Sequence, residues 1–235
     1  MFFDFFYFHP TLAYFLVIAT VIFSYIMQAN VDSTFKKYSM VGSRRNVPAH
    51  VIARQILDSY GLYGVTVMRI EGKLTDHYDP RQNIVALSDS TFYSTSVAAI
   101  GVAAHEVGHA VQYNKNYLPI KIRAVFVPIA QIGSKSWVIF FLLGMFFSMP
   151  FLLGVGVILF ACVVLFQLLT LPVEFNASRR ALNTIEQQFL LERDEMAGAR
   201  KTLSAAAMTY VAGLMVAVAQ LLRLLVLVNG RNNRR

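Results

Sequence analysis

Ala103-Ala104-His105-Glu106-Val107-Gly108-His109-Ala110-Val111-Gln112 joins two histidines, four residues apart, to flanks of small apolar residues. No proline interrupts Ser94 to Tyr113, so the stretch predicts a helix, and the flanks predict a buried one. Residues four apart lie one turn above each other, which turns both imidazoles to the same side. Burying two histidines and a glutamate without partners is costly, and one metal ion would satisfy all three. The spacing lets two neutral imidazole nitrogens reach a zinc ion at about 2.0–2.1 Å. Glu106, displaced around the helix, is placed to act as general base on a zinc-bound water. The alternative is a pair of hydrogen-bonded core histidines.

Zinc used for catalysis needs a third protein ligand and an open fourth position. No histidine follows closely enough to supply it; the others are His9, His50 and His77. Among the later carboxylates Glu174 stands out, following Pro172 at the expected start of a helix and at the mouth of an apolar segment. Its ordinary reading is an ion pair with Arg179 or Arg180. Glu192, Asp194 and Glu195 fall in a charge-dense stretch that reads as a solvated helix face.

The rest of the chain surrounds this motif with too much apolar surface for water. Of 235 residues 56% are hydrophobic and only 14% charged, and the mean hydropathy is +0.52. A globule of this size cannot hide so many apolar side chains, whereas a lipid bilayer can cover them. The net charge of +8 then suits anionic headgroups, and no basic run alternates with aromatics as nucleic-acid binding would require. Cys162 stands alone and packs as a small hydrophobe.

Thr11 to Ala29 is predicted to span the membrane, within a first segment over residues 11–29. Residues 30–135 form a polar region that carries the motif. Within it Ala49 to Tyr60 has helical spacing, with Val51, Ile52, Ile56 and Leu57 on one side. Gly64 to Ile70 and Asn83 to Leu87 read as strands, and Glu71 to Gln82 as their connection. Residues 136–171 are too long for one crossing and predict a hairpin bending near Pro150. Residues 172–202 are polar and helical. Leu203 to Val228, with Gln220 and Arg223, is either a further span or an interfacial helix. If Glu174 and His105 share a metal, the chain between them must return to the side it left, so an even number of crossings is expected.

Four stretches together resemble a known family: Leu74 to Pro80, Ala103 to Gln112, Leu171 to Ala181 and Ala205 to Val211. The chain resembles the YugP-like neutral zinc metallopeptidases of bacterial membranes, which are similar to the HtpX type of membrane gluzincins. The resemblance covers nearly the whole chain in order. It implies a mainly α membrane protein, with several transmembrane helices, a small gluzincin-like catalytic region and a short β-sheet. It also implies one Zn2+ per chain, held by His105, His109 and Glu174, with Glu106 as catalytic residue. One departure is Ser178, where HtpX-like enzymes carry an Asp four residues after the ligand Glu; Asn176 also stands where an acid is common.

In gluzincins of this kind a strand edge pairs with the substrate backbone, and Asn83, Ile84, Val85, Ala86 and Leu87 are the expected edge. Asp76, His77, Tyr78 and Asp79 just before it either line the cleft or form a turn. A donor for the oxyanion is also required, with His77, Arg179 and Tyr210 as candidates.

Residues 1–29 hold no Lys or Arg and residues 30–135 hold 12, which favours a cytoplasmic catalytic region in a multi-pass protein of the bacterial plasma membrane. The expected function is zinc-dependent endoproteolysis of peptide or protein substrates at the bilayer. The rival is a catalytically inactive zinc-binding scaffold or chaperone-like protein. A transporter would place its ionisable groups inside the spans, not beside them. Oligomeric state is not legible.

Overall fold

Pro10 opens α1 (Pro10–Ser39), and there follow α2 (Ala49–Ser59), β1 (Thr66–Ile70), β2 (His77–Asp79) and β3 (Ile84–Ser88). The chain ends with α3 (Val97–Asn114), α4 (Leu118–Phe146), α5 (Pro150–Gln187) and α6 (Met196–Asn232). The computed structural model describes residues 10–232; the last three residues of the basic tail lie outside it. The protein is a mainly α membrane protein with one small sheet. Among the described residues four helices, α1, α4, α5 and α6, are long and apolar enough to cross a membrane. Packing divides the described chain into residues 10–27, 122–171 and 209–232 on the one hand, and 28–121 and 172–208 on the other.

In the first unit α4 and α5 form an antiparallel pair that approaches backbone to backbone at glycines. A side chain at Gly133 would lie 2.7 Å from the Leu159 carbonyl, and one at Gly144 only 2.6 Å from the Leu153 nitrogen. Small residues allow such contact between helices that lipid cannot drive together by hydrophobicity. Trp137 and Phe160, with ring centroids 4.8 Å apart, fill the space between. The turn follows from local chemistry. Ser148 takes φ 56°, Met149 donates to the Gly144 carbonyl at 3.0 Å, and Pro150 starts α5 with its ring already at a helical φ. Pro172 does not begin a new helix as expected; α5 runs through it to Gln187. A proline inside a helix removes its own N–H bond and crowds the carbonyl four residues back, which strains the helix without having to end it.

The second unit is built around α3. Ser96 caps it by accepting the Ala99 N–H. Ile52, Ile56 and Leu57 of α2, Val85 and Leu87 of β3, and Ile100 and Val107 of α3 are all at most 2% exposed. Each such side chain contributes about 1.5–3 kcal/mol by leaving water. On α2 the buried face is completed by Ala49 and Ala53, while Val51 is exposed.

The sheet corrects the sequence reading. Its order is β1-β3-β2, with β1 parallel to β3 and β2 antiparallel to it. The expected connection thus contains a strand, too short at three residues for any periodicity. The Asn83–Leu87 stretch is not an edge, because β3 is paired on both sides. Its consecutive Ile84-Val85-Ala86-Leu87 suits a central strand with both faces covered, and pairing on both sides leaves few backbone groups free to add another strand. The free edges belong to β1 and β2, and β2 packs against α3.

Candidate metal centre

Two side chains on α3 and one on α5 converge. His105 Nε2 lies 3.3 Å and His109 Nε2 3.5 Å from the same oxygen, Glu174 Oε2. The Glu174 side chain is 3% exposed and the two histidines 13% and 10%. Helical spacing on α3 supplies the two imidazoles, whose rings meet edge to face with centroids 4.7 Å apart. The approach of α5 supplies the carboxylate. It depends on Gly108, where a side chain would lie 2.9 Å from the Ala177 carbonyl oxygen. Gly108→Ala is therefore expected to force the two backbones apart, cost about 1–3 kcal/mol and weaken metal binding. Thermal melts with and without zinc check this; an unchanged zinc-induced shift would count against the close approach.

Each histidine is held from behind. His109 Nδ1 is 3.0 Å from Gln112 Oε1, and the Gln112 amide nitrogen donates to the Val173 carbonyl at 2.8 Å and to Asn176 Oδ1 at 3.0 Å. Those two acceptors fix which way the amide faces, so His109 Nδ1 must be the donor. A neutral His109 then presents the lone pair of Nε2 to a carboxylate, an arrangement that a proton or a metal cation between them relieves. His105 Nδ1 lies 3.1 Å from Ser178 Oγ, so Ser178 occupies the supporting position despite lacking the usual carboxylate. Arg180 Nε donates to Asn176 Oδ1 at 2.7 Å, which ties the α5 side of the network together.

The three donors fit zinc. They lie within 4.8 Å of one another, and two imidazoles with one carboxylate are an accepted zinc donor set. Arms of about 2.0–2.1 Å in a tetrahedron give donor separations of about 3.4 Å, against 3.3 and 3.5 Å here.

The electrostatics agree. Burial is the largest influence on Glu174 and would raise its pKa, but the hydrogen bonds and fields of His105 and His109 overcome it and hold the carboxyl well below its usual range. For His109, burial alone disfavours the charged ring, yet Glu174 and Glu106 outweigh it and raise the pKa. A metal must therefore displace a proton at this site. Zinc affinity is expected to fall on acidification, beginning above the ordinary histidine value of 6.5. Competition against a chelator across pH 5–8, the range about that value, measures it, and a flat profile would contradict the pairing. Glu106, 8% exposed, has its pKa raised, chiefly by burial and against the pull of the two histidines.

Residues 13–229 match the family model described as "Putative neutral zinc metallopeptidase". The chain belongs to that family. It is also 44% identical over 219 residues, 93% of this chain and 97% of the relative, to a Bacillus subtilis (strain 168) protein named "Putative membrane protease YugP". No solved structure matches the chain significantly.

Other candidates are placed elsewhere. His77 is exposed on β2 with Nδ1 2.9 Å from the Thr75 carbonyl, and Arg179 is exposed on α5. Tyr210 belongs to the other unit. His50 stacks on Phe92 with centroids 4.4 Å apart and is a packing residue. Asp194 pairs with Arg44 at 2.5 Å. Glu195, 8% exposed, accepts from the backbones of Arg44 and Glu192, so the charge-dense stretch builds the turn into α6. Asp76 accepts from both the backbone and the hydroxyl of Ser88, each at 2.8 Å, and Asp79 caps the turn at Arg81. The residue that sequence reasoning passed over is Gln112. Its signal was a polar side chain one turn after His109 in an otherwise apolar helix.

Gln112→Leu keeps the volume but removes the hold on His109. Zinc affinity is expected to fall about 10–100-fold; equal affinity would show that the network does not orient the ring.

Proposed function

We propose that this chain is a zinc-dependent membrane endopeptidase, with His105, His109 and Glu174 as metal ligands and Glu106 as catalytic base. The observation that carries the reading is the convergence of two Nε2 atoms on Glu174 Oε2, with both Nδ1 atoms held from behind. Zinc, when bound, supplies a Lewis acid that polarises the scissile carbonyl and acidifies water. Glu106 takes the proton from the attacking water and delivers it to the leaving amine. Its burial favours the protonated form between those two transfers.

An extended peptide adds to the free edge of β2, the strand that packs against α3, in place of Asn83–Leu87. Residues 30–135 and 172–202 make the catalytic region, and residues 11–29, 136–171 and 203–228 the membrane part. The catalytic region faces the cytoplasm of a bacterial cell, by the excess of Lys and Arg in residues 30–135. Substrates are proteins at or near the bilayer.

The test is zinc content and casein cleavage of the full chain, purified in detergent, before and after chelation. One zinc per chain, with activity lost on chelation and restored by zinc, is expected. Zinc without cleavage of casein or of solubilised membrane proteins would favour a zinc-binding scaffold, and no zinc would sink the metal site.

A further inference from the structure

Away from the metal centre, α1 and α6 flank an open cavity of about 300 Å³. On α1 it is lined by Asn30, Thr34 and Lys37, and on α6 by Lys201, Ser204 and Met208. The spacings are i, i+4, i+7 and i, i+3, i+7, so each set is one stripe of its helix. Seven residues of helix span about 10 Å, the reach of a glycerophosphate group. No carboxylate lines the cavity, and neither lysine forms an ion pair among the described residues. The Lys37 ammonium lies 5.6 Å from the Tyr38 ring centroid, a contact that leaves its three donors for an anion.

Sequence places this cavity at the border of the apolar runs. Asn30 immediately follows the apolar Thr11–Ala29 stretch on α1, with Lys36 and Lys37 one to two turns beyond. Arg200 and Lys201 immediately precede the apolar run that starts at Leu203 on α6. The α6 stripe is graded, from the Lys201 ammonium and the Ser204 hydroxyl to Met208, which suits the start of an acyl chain; the α1 stripe stays polar from Lys37 through Thr34 to Asn30. Basic clusters at such positions attract anionic headgroups, and a cavity adds shape to charge.

We infer that this cavity binds the phosphate-bearing headgroup of an anionic membrane lipid, with Lys37 and Lys201 neutralising the phosphate and Ser204 hydrogen-bonding to it. Two lysines without a carboxylate select net negative charge, so a zwitterionic headgroup carrying its own choline cation is disfavoured.

The experiment is native mass spectrometry of the full chain in detergent, titrated with phosphatidylglycerol or phosphatidylcholine, for wild type and Lys37→Gln/Lys201→Gln. One phosphatidylglycerol per wild-type chain is expected, bound about 30-fold more weakly by the double variant. Phosphatidylcholine should bind weakly to both. Equal phosphatidylglycerol binding by the two chains overturns the inference. Displacement of the lipid by millimolar inorganic phosphate also overturns it, by making this a site for the free anion. Unchanged zinc content confirms that the double variant is folded. Should it not fold, Ser204→Glu places a carboxylate at an exposed position of the same stripe, and its failure to weaken phosphatidylglycerol binding overturns the inference equally.

Discussion

Glu106→Gln is expected to bind one zinc per chain, as the wild type does, and to cleave casein about 10²–10⁴-fold more slowly. Glutamine has nearly the shape of glutamate, so the packing of α3 around this buried position is preserved. It cannot accept a proton from water. Glu106 also lies on a different line of the helix from the Nε2 atoms that face Glu174, so its loss leaves the three donors in place. The pair of readouts separates the alternatives. Lost zinc would make Glu106 a structural support of the centre, and undiminished cleavage would remove it from the chemistry.

Glu174→Gln should act on the opposite readout. The amide keeps the side chain's volume in α5 but carries no negative charge and is a poor zinc donor. With only His105 and His109 left, zinc affinity is expected to fall on the order of 10³-fold or more, beyond the about 10–100-fold of a lost supporting partner. The same change removes the carboxylate that raises the His109 pKa, so the pH dependence of any residual metal binding should weaken. A competition titration against a chelator of known affinity measures both. Retained affinity with a normal pH profile would mean that another carboxylate completes the site, and Asp76, whose field reaches Glu106, would be the first to examine.

The comparison between Glu174 and Gln112 shows how the site is layered. Glu174 faces the two ring nitrogens directly, whereas Gln112 acts only by holding one ring and choosing which nitrogen carries its proton. Ser178 does the same for His105 with a single hydroxyl. A serine can donate or accept, so it orients the ring without fixing the tautomer as firmly as a carboxylate would. A zinc affinity above that of the wild type in Ser178→Asp would support that distinction, and an unchanged or lower one would count against it.

Local sequence determined much of this protein. The four-residue spacing of His105 and His109 puts both rings on one side of any helix, and small apolar flanks require that helix to be buried. Long charge-free runs require lipid, whatever the fold, because no globule of this length can cover them. The Ser148-Met149-Pro150 turn is likewise a local matter of one left-handed residue followed by a residue with a fixed φ.

What needed the tertiary structure was everything carried by contacts distant in sequence. Pairing on both sides of β3 made the expected edge strand a central one, and a three-residue β2 has no pattern that could reveal it. Glu174 was singled out by its position beside an apolar run, but a ligand is defined by distance. The 3.3 and 3.5 Å separations exist only because Gly108 lets α5 touch α3 across 69 residues of chain. Gln112 acquires its role the same way, since its partners Val173 and Asn176 lie 61 and 64 residues on. Periodicity reports which face of an element is buried; it carries no information about which other element will cover that face.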